Sequence, residues 1–352
     1  FVALDDRLRC ITNDSFADPP LKDAQIGAAF DSAIASPPLD EIVSSDDSVL
    51  LVVSDATRAT ASAQIVNLLV RRLVQIGISP ANIAVIFATG IHRRVTEEEK
   101  RELLTSFIVQ RIRTLDHDAY DETKLSSMGT TASGLQVQLN SALRDFSRVF
   151  LIGGIIFHYF AGFTGGRKSV CPGLASANTI ETTHMLAFDF ERGGRKAGVG
   201  PGLLDGNAVH EECDRIAEVV SPAFGINTIV DETGRAVSVF CGDWRKAHRA
   251  ASDHYSKRHS FTISEKRDIV IVSCGGIPYD INMFAVVAGK AAMADPEHTR
   301  RYVEEVRAAR EWTTAELSRH GVRWAGEGGN YLLVWPPDDC GSTVQALRER
   351  GI

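Results

Sequence analysis

Short apolar runs alternate with amphipathic stretches along most of the chain. The runs 49–53, 83–87 and 149–152 are each followed by a polar or glycine-containing turn. After the first run, apolar side chains between Ile65 and Leu73 recur at the spacing of one helix face. This repeated order of strand, turn and helix predicts an α/β fold, with a parallel sheet and helices on both of its faces.

Polar side chains follow each of these three predicted strands. Asp55 and Arg58 come after the first strand, His92 after the second and His158 after the third. In open parallel sheets, ligands bind beyond the carboxyl ends of the strands. We therefore expect these four side chains to gather at one edge of the sheet, as a candidate site.

The pattern changes near residues 260–266, where polar side chains precede a further predicted strand at 268–273. A long charged helix then begins at Pro296 and ends at Gly321. These features predict two domains. They are a parallel-sheet domain over residues 1–263 that carries the site, and a smaller α/β domain over residues 264–352.

The composition narrows the class of protein. Of 352 residues, 44% are hydrophobic and 24% are charged, which is typical of a soluble globular chain. The net charge of −7 argues against a nucleic-acid partner. No apolar run reaches the roughly 18 residues of a membrane span. The six cysteines are scattered without a CxxC pair and the N-terminus lacks a signal-peptide pattern, so we expect a reducing cytoplasm.

The glycine-rich segment 153–173 contains a partial match to a phosphate-binding loop. Gly162, four residues, and then Arg167-Lys168-Ser169 approximate the P-loop pattern, but Arg167 occupies the position of its second glycine. A nucleoside triphosphatase is therefore not expected. The backbone at Gly165 and Gly166, together with Lys168, can still bind a different phosphate group.

Three histidines are candidates for chemistry. His92, His158 and His184 each lie near a predicted strand end or loop. Imidazole changes charge near neutral pH and also binds metals, so two histidines could serve as acid and base while a third holds a metal. The alternative for each is a surface or structural histidine. The other seven sit among charged residues, and we expect them to be solvated: His117, His210, His248, His254, His259, His298 and His320.

The segment from Asp55 to Arg58 has two interpretations. It can be a helix cap with a local salt bridge. Alternatively, Asp55 and Thr57 hold a ligand or orient a base, and Arg58 offers a two-pronged donor to a carboxylate or developing oxyanion.

Taken together, these residues resemble the nickel-dependent lactate racemase family over roughly residues 1–282. Beyond Asp55–Arg58, His92 and His184, the motifs of this resemblance are Ala88-Thr89-Gly90-Ile91-His92-Arg93, Asp116-His117-Asp118, the stretch from His158 through Gly162-Phe163-Thr164-Gly165-Gly166-Arg167-Lys168 to Pro172-Gly173, and Gly275-Gly276-Ile277-Pro278-Tyr279-Asp280-Ile281-Asn282.

The resemblance implies an isomerase that racemises or epimerises a 2-hydroxy acid, lactate or a larger one, by hydride transfer to a nickel-pincer nucleotide. It implies that Lys168 tethers this cofactor through a thioamide and that His184 is the nickel ligand. His92 and His158 would be the two acid–base residues. Separate biosynthetic proteins would make the cofactor.

The resemblance also implies supporting roles for several other residues. Arg58 would steady the substrate oxygen, while Asp55 and Thr57 would line the cofactor or orient a histidine. Gly165 and Gly166 would belong to the cofactor-binding loop.

The chain departs from the family after Asn282. Ala285 and Ala288 stand where the family has a glutamine and a lysine that help to bind substrate. The segment from Asp295 onward instead resembles the small-domain end of histidinol-phosphate aminotransferases, without a Schiff-base lysine motif. Two alternatives therefore stay open. The chain is a non-catalytic relative that retains a nucleotide or phosphate site, or it is part of a pyridoxal-phosphate aminotransferase fusion.

Overall fold

The computed structural model describes residues 18–260, 296–325 and 333–335. The chain divides into two compact units, one of Phe1–Ala187 with Lys196–Lys266 and one of Phe188–Arg195 with Arg267–Ile352. The predicted domain boundary at 263/264 lies outside the described residues and stays a prediction. The sequence pattern does not predict that the short segment Phe188–Arg195 belongs to the second unit.

The first unit is built on a six-stranded sheet. Its strands, with the short pairs that accompany them, are β1 Val49–Ser54, β2 Ile83–Ala88, β3 Arg113–Asp116, β4 Leu125–Thr130, β5 Gln136–Asn140, β6 Arg148–Gly154, β7 Phe157–His158, β8 Gly162–Phe163, β11 Phe224–Val230 and β12 Ala236–Gly242. The sheet order is β12-β11-β6-β1-β2-β3, and all neighbours are parallel except the hairpin of β11 and β12. The predicted parallel-sheet α/β fold is confirmed.

Helices connect the strands of the first unit. They are α1 Asp23–Asp31, α2 Leu39–Ile42, α3 Ser62–Ile76, α4 Glu97–Val109, α5 Ala142–Asp145, α6 Ala177–Met185, α7 Ala208–Val220 and α8 Trp244–His259. The start of α4 shows how the sequence determines one of these ends. The Thr96 hydroxyl accepts from the Glu99 amide at 3.2 Å, and the Glu99 carboxylate accepts from the Thr96 amide at 2.8 Å. This reciprocal capping satisfies two amides that the helix itself leaves unpaired.

The core lies on both sides of the central strands. Every residue of Val49–Val53 is fully buried, which explains why β1 is a continuous apolar run rather than an alternating one. On one face, Ile65, Leu69 and Leu73 of α3 are also fully buried against the sheet. The polar residues that follow β1 and β2 are therefore carried on a rigid base.

The described part of the second unit is small. The strands β9 Phe188–Asp189 and β10 Gly194–Arg195 pair with each other, and helix α9 Pro296–Arg319 precedes the antiparallel pair β13 Arg323–Ala325 and β14 Leu333–Trp335. Gly321, with φ of 68°, follows the end of α9 as predicted. The predicted strand at 268–273 lies outside the described residues. Among the helices that the structure describes, none is long and apolar enough to cross a membrane.

Candidate active site

The candidate site lies at the carboxyl edge of the central sheet. β1 pairs with β2 so that Ser54 aligns with Ala88, and with β6 so that Val53 aligns with Ile152. The segments that follow these three parallel strands therefore leave the sheet side by side. This register brings the loops of Asp55, His92 and His158 to one edge.

Asp55 and His92 form a hydrogen-bonded pair. The Asp55 carboxylate is buried and lies 2.7 Å from Nδ1 of His92, whose side chain is 52% exposed. Its other oxygen accepts from the Thr57 amide at 3.1 Å and the Thr57 hydroxyl at 2.6 Å. A carboxylate only accepts, so Nδ1 of His92 donates and Nε2 of the neutral ring presents a lone pair.

The structure does not match the helix-cap interpretation of the Asp55 segment. The helix that follows, α3, begins at Ser62, and its N-cap residue is Ala61. Asp55 therefore does not cap a helix but holds a histidine in one orientation. No hydrogen bond or ion pair engages the Arg58 guanidinium within the described part of the chain, and its side chain is exposed.

His158 is buried in the tight hairpin of β7 and β8. Its Nδ1 accepts hydrogen bonds from the amides of Phe160 at 3.2 Å and Ala161 at 3.1 Å. Its Nε2 lies 2.8 Å from Nζ of Lys168. Burial, reinforced by the charges of Lys168 and Arg58, lowers the pKa of His158 to about 3. The ring is therefore neutral near pH 7, with its proton on Nε2.

Lys168 lies in the 3₁₀ helix Gly166–Ser169 and is half-buried. Burial lowers its pKa to about 7, and the charges of Arg167 and Arg58 act in the same direction. Within residues 18–260 no carboxylate is hydrogen-bonded to the amine. A lysine with such a lowered pKa is available as a neutral nucleophile near pH 7.

His184 lies in the last turn of α6, where its Nδ1 donates to the Ile180 carbonyl at 2.7 Å. The neutral ring thus has its lone pair on Nε2, and no described residue hydrogen-bonds to that atom. Metal-binding histidines commonly have their second ring nitrogen engaged with a carbonyl in this way. No group of three or more histidine, cysteine, aspartate or glutamate side chains among the described residues could hold a metal.

Gly165 and Gly166 precede Lys168 for a reason that the sequence does not show. Both have positive φ, 76° and 49°. A Cβ atom would lie 2.6 Å from Cδ1 of Ile155 at the first position and 2.9 Å from the His248 ring at the second. Backbone conformation and packing therefore account for both glycines. Their assignment to cofactor binding stays a prediction.

The prediction that seven histidines are solvated is wrong for several of them. His117 is fully buried between the Asn140 amide and the Ala175 carbonyl, and burial lowers its pKa to about 4. His248 is buried beside Arg167. The charged residues next to them in the sequence do not surround these histidines in the folded chain. His210, His254 and His259 are half-buried, His320 is exposed as predicted, and the side chain of His298 lies outside the described residues.

Arg167 is the functional-site residue whose role sequence reasoning missed. It is buried, it donates to the Ala161 carbonyl at 2.7 Å, and its Nη1 lies 2.6 Å from Nε2 of His248. Ala161 is also the residue whose amide donates to His158. Arg167 therefore fixes the hairpin that carries His158 to the segment that carries Lys168. The one available signal was a charged side chain inside an otherwise glycine-rich loop.

The fold and site together define an α/β protein with histidine and carboxylate side chains at the carboxyl edge of its sheet. Residues 2–196 match the model of the lactate racemase N-terminal domain, and the chain belongs to this family. It is 32% identical over 264 residues to a lactate racemase of Lactiplantibacillus plantarum, covering 75% of this chain and 61% of the relative. It is 30% identical over 265 residues to one of Thermoanaerobacterium thermosaccharolyticum, covering 75% and 60%.

Other comparisons concern the fold and a shorter region. The lactate racemase apoprotein of Thermoanaerobacterium thermosaccharolyticum superposes with a TM-score of 0.62 at 24% identity, covering 68% of this chain and 56% of that one. A separate similarity, 33% identity over 75 residues, links 21% of the chain to a histidinol-phosphate aminotransferase of Geobacter. The chain spans about three fifths of the length of the two racemases it matches.

Proposed function

We propose that this protein is an isomerase that racemises a 2-hydroxy acid. The observation that supports it most is the pair of histidines on either side of β1, in a chain of the lactate racemase N-terminal family. Nε2 of His92 is a proton acceptor, because Asp55 holds the ring proton at Nδ1. Nε2 of His158 is a proton donor, because two amides occupy Nδ1.

In this proposal, His92 takes the proton of the substrate hydroxyl at Nε2. On the opposite face, His158 gives a proton back to the substrate oxygen, and the roles reverse for the other enantiomer. General acid–base catalysis of this kind typically contributes about 10²- to 10⁴-fold to a rate. Arg58 supplies a planar cation to the substrate carboxylate or oxygen.

The residues present fit a nickel-pincer nucleotide. Nε2 of His184 is available to the metal, and the neutral amine of Lys168 is available for the tether. A nickel site with one imidazole and donors from an organic ligand agrees with the metal's preferences. When bound, this cofactor supplies the acceptor for the hydride at the substrate's C2 carbon. We further propose that separate proteins make the cofactor, and that the protein works in the cytoplasm, where Cys171 and Cys213 stay reduced.

We propose that the substrate is lactate or a larger 2-hydroxy acid. Arg58 is an exposed cation in the loop after β1, and its guanidinium has no carboxylate partner within the described part of the chain. The positions of Ala285 and Ala288 lie outside the described residues. If no other residue replaces the lysine that the family has at the position of Ala288, a small monocarboxylate binds weakly. A substrate with further hydroxyls or an aryl group then binds better.

The test combines three measurements on protein produced together with the cofactor-biosynthesis proteins. Intact mass detects a tethered adduct, metal analysis detects stoichiometric nickel, and circular dichroism follows racemisation of lactate, malate, phenyllactate and gluconate. We expect an adduct, nickel, and turnover of at least one acid. Nickel without turnover would favour a non-catalytic relative, and absorbance from bound pyridoxal phosphate would favour the aminotransferase fusion.

A further inference from the structure

His158 and Lys168 share a hydrogen bond in which the direction of donation is determined by the other contacts of the ring. Nδ1 of His158 accepts from two backbone amides and so carries no proton. The neutral ring must then carry its proton on Nε2, the atom 2.8 Å from Nζ of Lys168. An ammonium group has no lone pair to accept this proton. The contact is therefore satisfied only when Lys168 is an uncharged amine.

Lys100 shows how the same fold treats a lysine that is kept charged. It is also buried, but its Nζ lies 2.9 Å from a Glu97 oxygen and 3.1 Å from an Asp116 oxygen. These two carboxylates raise the pKa of Lys100 against the opposing effect of burial. Lys168 has a histidine in place of the carboxylates. The two lysines therefore differ in their hydrogen-bond partners, in addition to the effect of burial, which is the largest cause of the lowered pKa of Lys168.

We propose that His158 holds Lys168 as an uncharged amine ready for acylation, and that acylation of Lys168 in turn releases Nε2–H of His158. In the acylation step, the lone pair of Nζ attacks the carbon of an activated acyl or thioacyl donor. A C–N bond forms, the bond to the leaving group breaks with its electron pair going to that group, and Nζ loses a proton to water. The amide or thioamide nitrogen that results has no basic lone pair, so it no longer accepts from His158.

This inference rests on the proposed function for its biological purpose, since the tethered cofactor would be the acylating group. It adds an order of events. Before attachment, the acid–base atom of His158 is occupied by Lys168; after attachment, it is free for the substrate. The chain would therefore gain its second acid–base group only when it is loaded.

The arginine charges around Lys168 favour its uncharged amine form. Arg58, which follows β1, and Arg167, which precedes Lys168 in the sequence, repel a charged amine at Lys168. Among the described residues, no carboxylate is hydrogen-bonded to Lys168 to offset them. The nearby thiols Cys171 and Cys213 act in the opposite direction. Burial is the largest cause, and the resulting pKa is about 7.

Competitive labelling measures the state of Lys168 directly. Cofactor-free protein is treated with trace acetic anhydride at pH values from about 6 to about 10, and each lysine is quantified by peptide mass spectrometry. We expect Lys168 to become half-reactive near pH 7, while Lys100 stays unreactive over most of the range. Exposed Lys22 reports on accessibility. Half-reactivity of Lys168 above about pH 9, or no labelling at any pH, would overturn the proposal.

A pair of variants tests whether His158 causes this behaviour. His158→Gln offers an amide oxygen that can accept from an ammonium group, so we expect the half-reaction pH of Lys168 to rise by about one unit or more. Tyr159→Phe is the matched control, because it keeps the ring that stacks on His158 at 4.5 Å. An unchanged value in a folded His158→Gln protein would contradict the role of His158.

Nitrogen-15 spectroscopy of the histidine rings keeps the proposal testable if His158→Gln does not fold. We expect His158 to be protonated on Nε2 and bare on Nδ1 at neutral pH, and its Hε2 signal to broaden through water exchange after acetylation of Lys168. A proton on Nδ1, or no change on acetylation, would contradict the proposal. Lys168 with half-reactivity near pH 7 in a chain that never binds nickel would contradict only the proposed function. A charged Lys168 in a nickel-loaded chain would contradict only this inference.

Discussion

His92 and His158 follow strands on either side of β1, yet their environments are opposite. His92 is half exposed and donates from Nδ1 to the buried carboxylate of Asp55. His158 is buried, accepts two amides at Nδ1, and has an amine as its partner at Nε2. The same side chain is thus prepared as a proton acceptor in one region and as a proton donor in the other. The partner of Nδ1, rather than the ring itself, decides which.

The largest expected effect comes from removing the amine beside His158. Lys168→Met should abolish any covalent adduct and all racemisation, because the methionine keeps the apolar stem but has no nucleophile. Intact mass and circular dichroism measure the two outcomes. Lys246→Met, at an exposed position of α8, is the control and should retain both. An unchanged adduct in Lys168→Met would show that the tether lies elsewhere.

Replacing either histidine should act on proton transfer. His92→Ala and His158→Ala should each lower kcat by about 10²- to 10⁴-fold, and His92→Ala should retain its nickel content. Turnover measured separately from each enantiomer should reveal different lesions in the two variants. Wild-type turnover in both would rule out the two-histidine mechanism.

Asp55→Asn should make His92 resemble His158 in which ring nitrogen carries the proton. The asparagine can donate to Nδ1, which moves the ring proton of His92 to Nε2 and converts an acceptor into a donor. We expect kcat to fall by about 100-fold, an effect of the wrong tautomer. Thr57→Val removes one hydrogen bond to Asp55 but leaves its contact with His92, so it should cost less than about tenfold. Equal effects of the two variants would contradict an orienting role for Asp55.

Substitution of Arg58 should affect substrate binding rather than the proton-transfer steps. Arg58→Met should raise KM for a monocarboxylate by about tenfold or more, because a charge-assisted hydrogen bond contributes about 1.5–3 kcal/mol. Arg58→Lys keeps the charge but not the two-pronged geometry, so its KM should lie between those of the wild-type protein and Arg58→Met. A lower kcat with an unchanged KM would assign Arg58 to the chemical step instead.

The smallest expected effect is on stability and distinguishes buried from exposed histidines. The pKa values of His117, His158 and His210 are lowered to about 4, about 3 and about 3, mainly by burial. The unfolded chain therefore takes up protons first as the pH falls below about 6.5. Each such histidine should reduce the free energy of unfolding by up to about 1.4 kcal/mol per pH unit until its folded pKa is reached.

Urea unfolding at a series of pH values from about 7 to about 4 measures this loss. His117→Gln keeps a donor and an acceptor for its two neighbours but does not titrate, so its stability should decline less steeply with acid. A slope equal to that of the wild-type chain would show that His117 does not contribute.

The architecture and the placement of the site could be predicted from the sequence. The apolar runs of β1, β2 and β6 mark strands that are buried on both faces, and the helical stretches between them require parallel connections. Parallel connections bring every carboxyl end to the same edge. Asp55 and His92, 37 residues apart, consequently lie at that edge as predicted, and the structure shows that their side chains are hydrogen-bonded there.

The state of each side chain could not be predicted in this way. His117 and Arg167 lie among polar sequence neighbours, yet both are buried, and Arg167 links the two segments that carry His158 and Lys168. Local composition reports on the average environment of a segment and not on the direction in which one side chain points.

The sequence by itself therefore determined the elements, their order and the edge at which the candidate residues meet. These depend on periodicity and on the few connections that a parallel sheet permits. Only the tertiary structure decided that His92 presents a lone pair, that His158 presents a proton and that Lys168 accepts it. A proton is placed by whichever donor or acceptor lies within about 3 Å, and contacts at that range form only after distant segments have packed together.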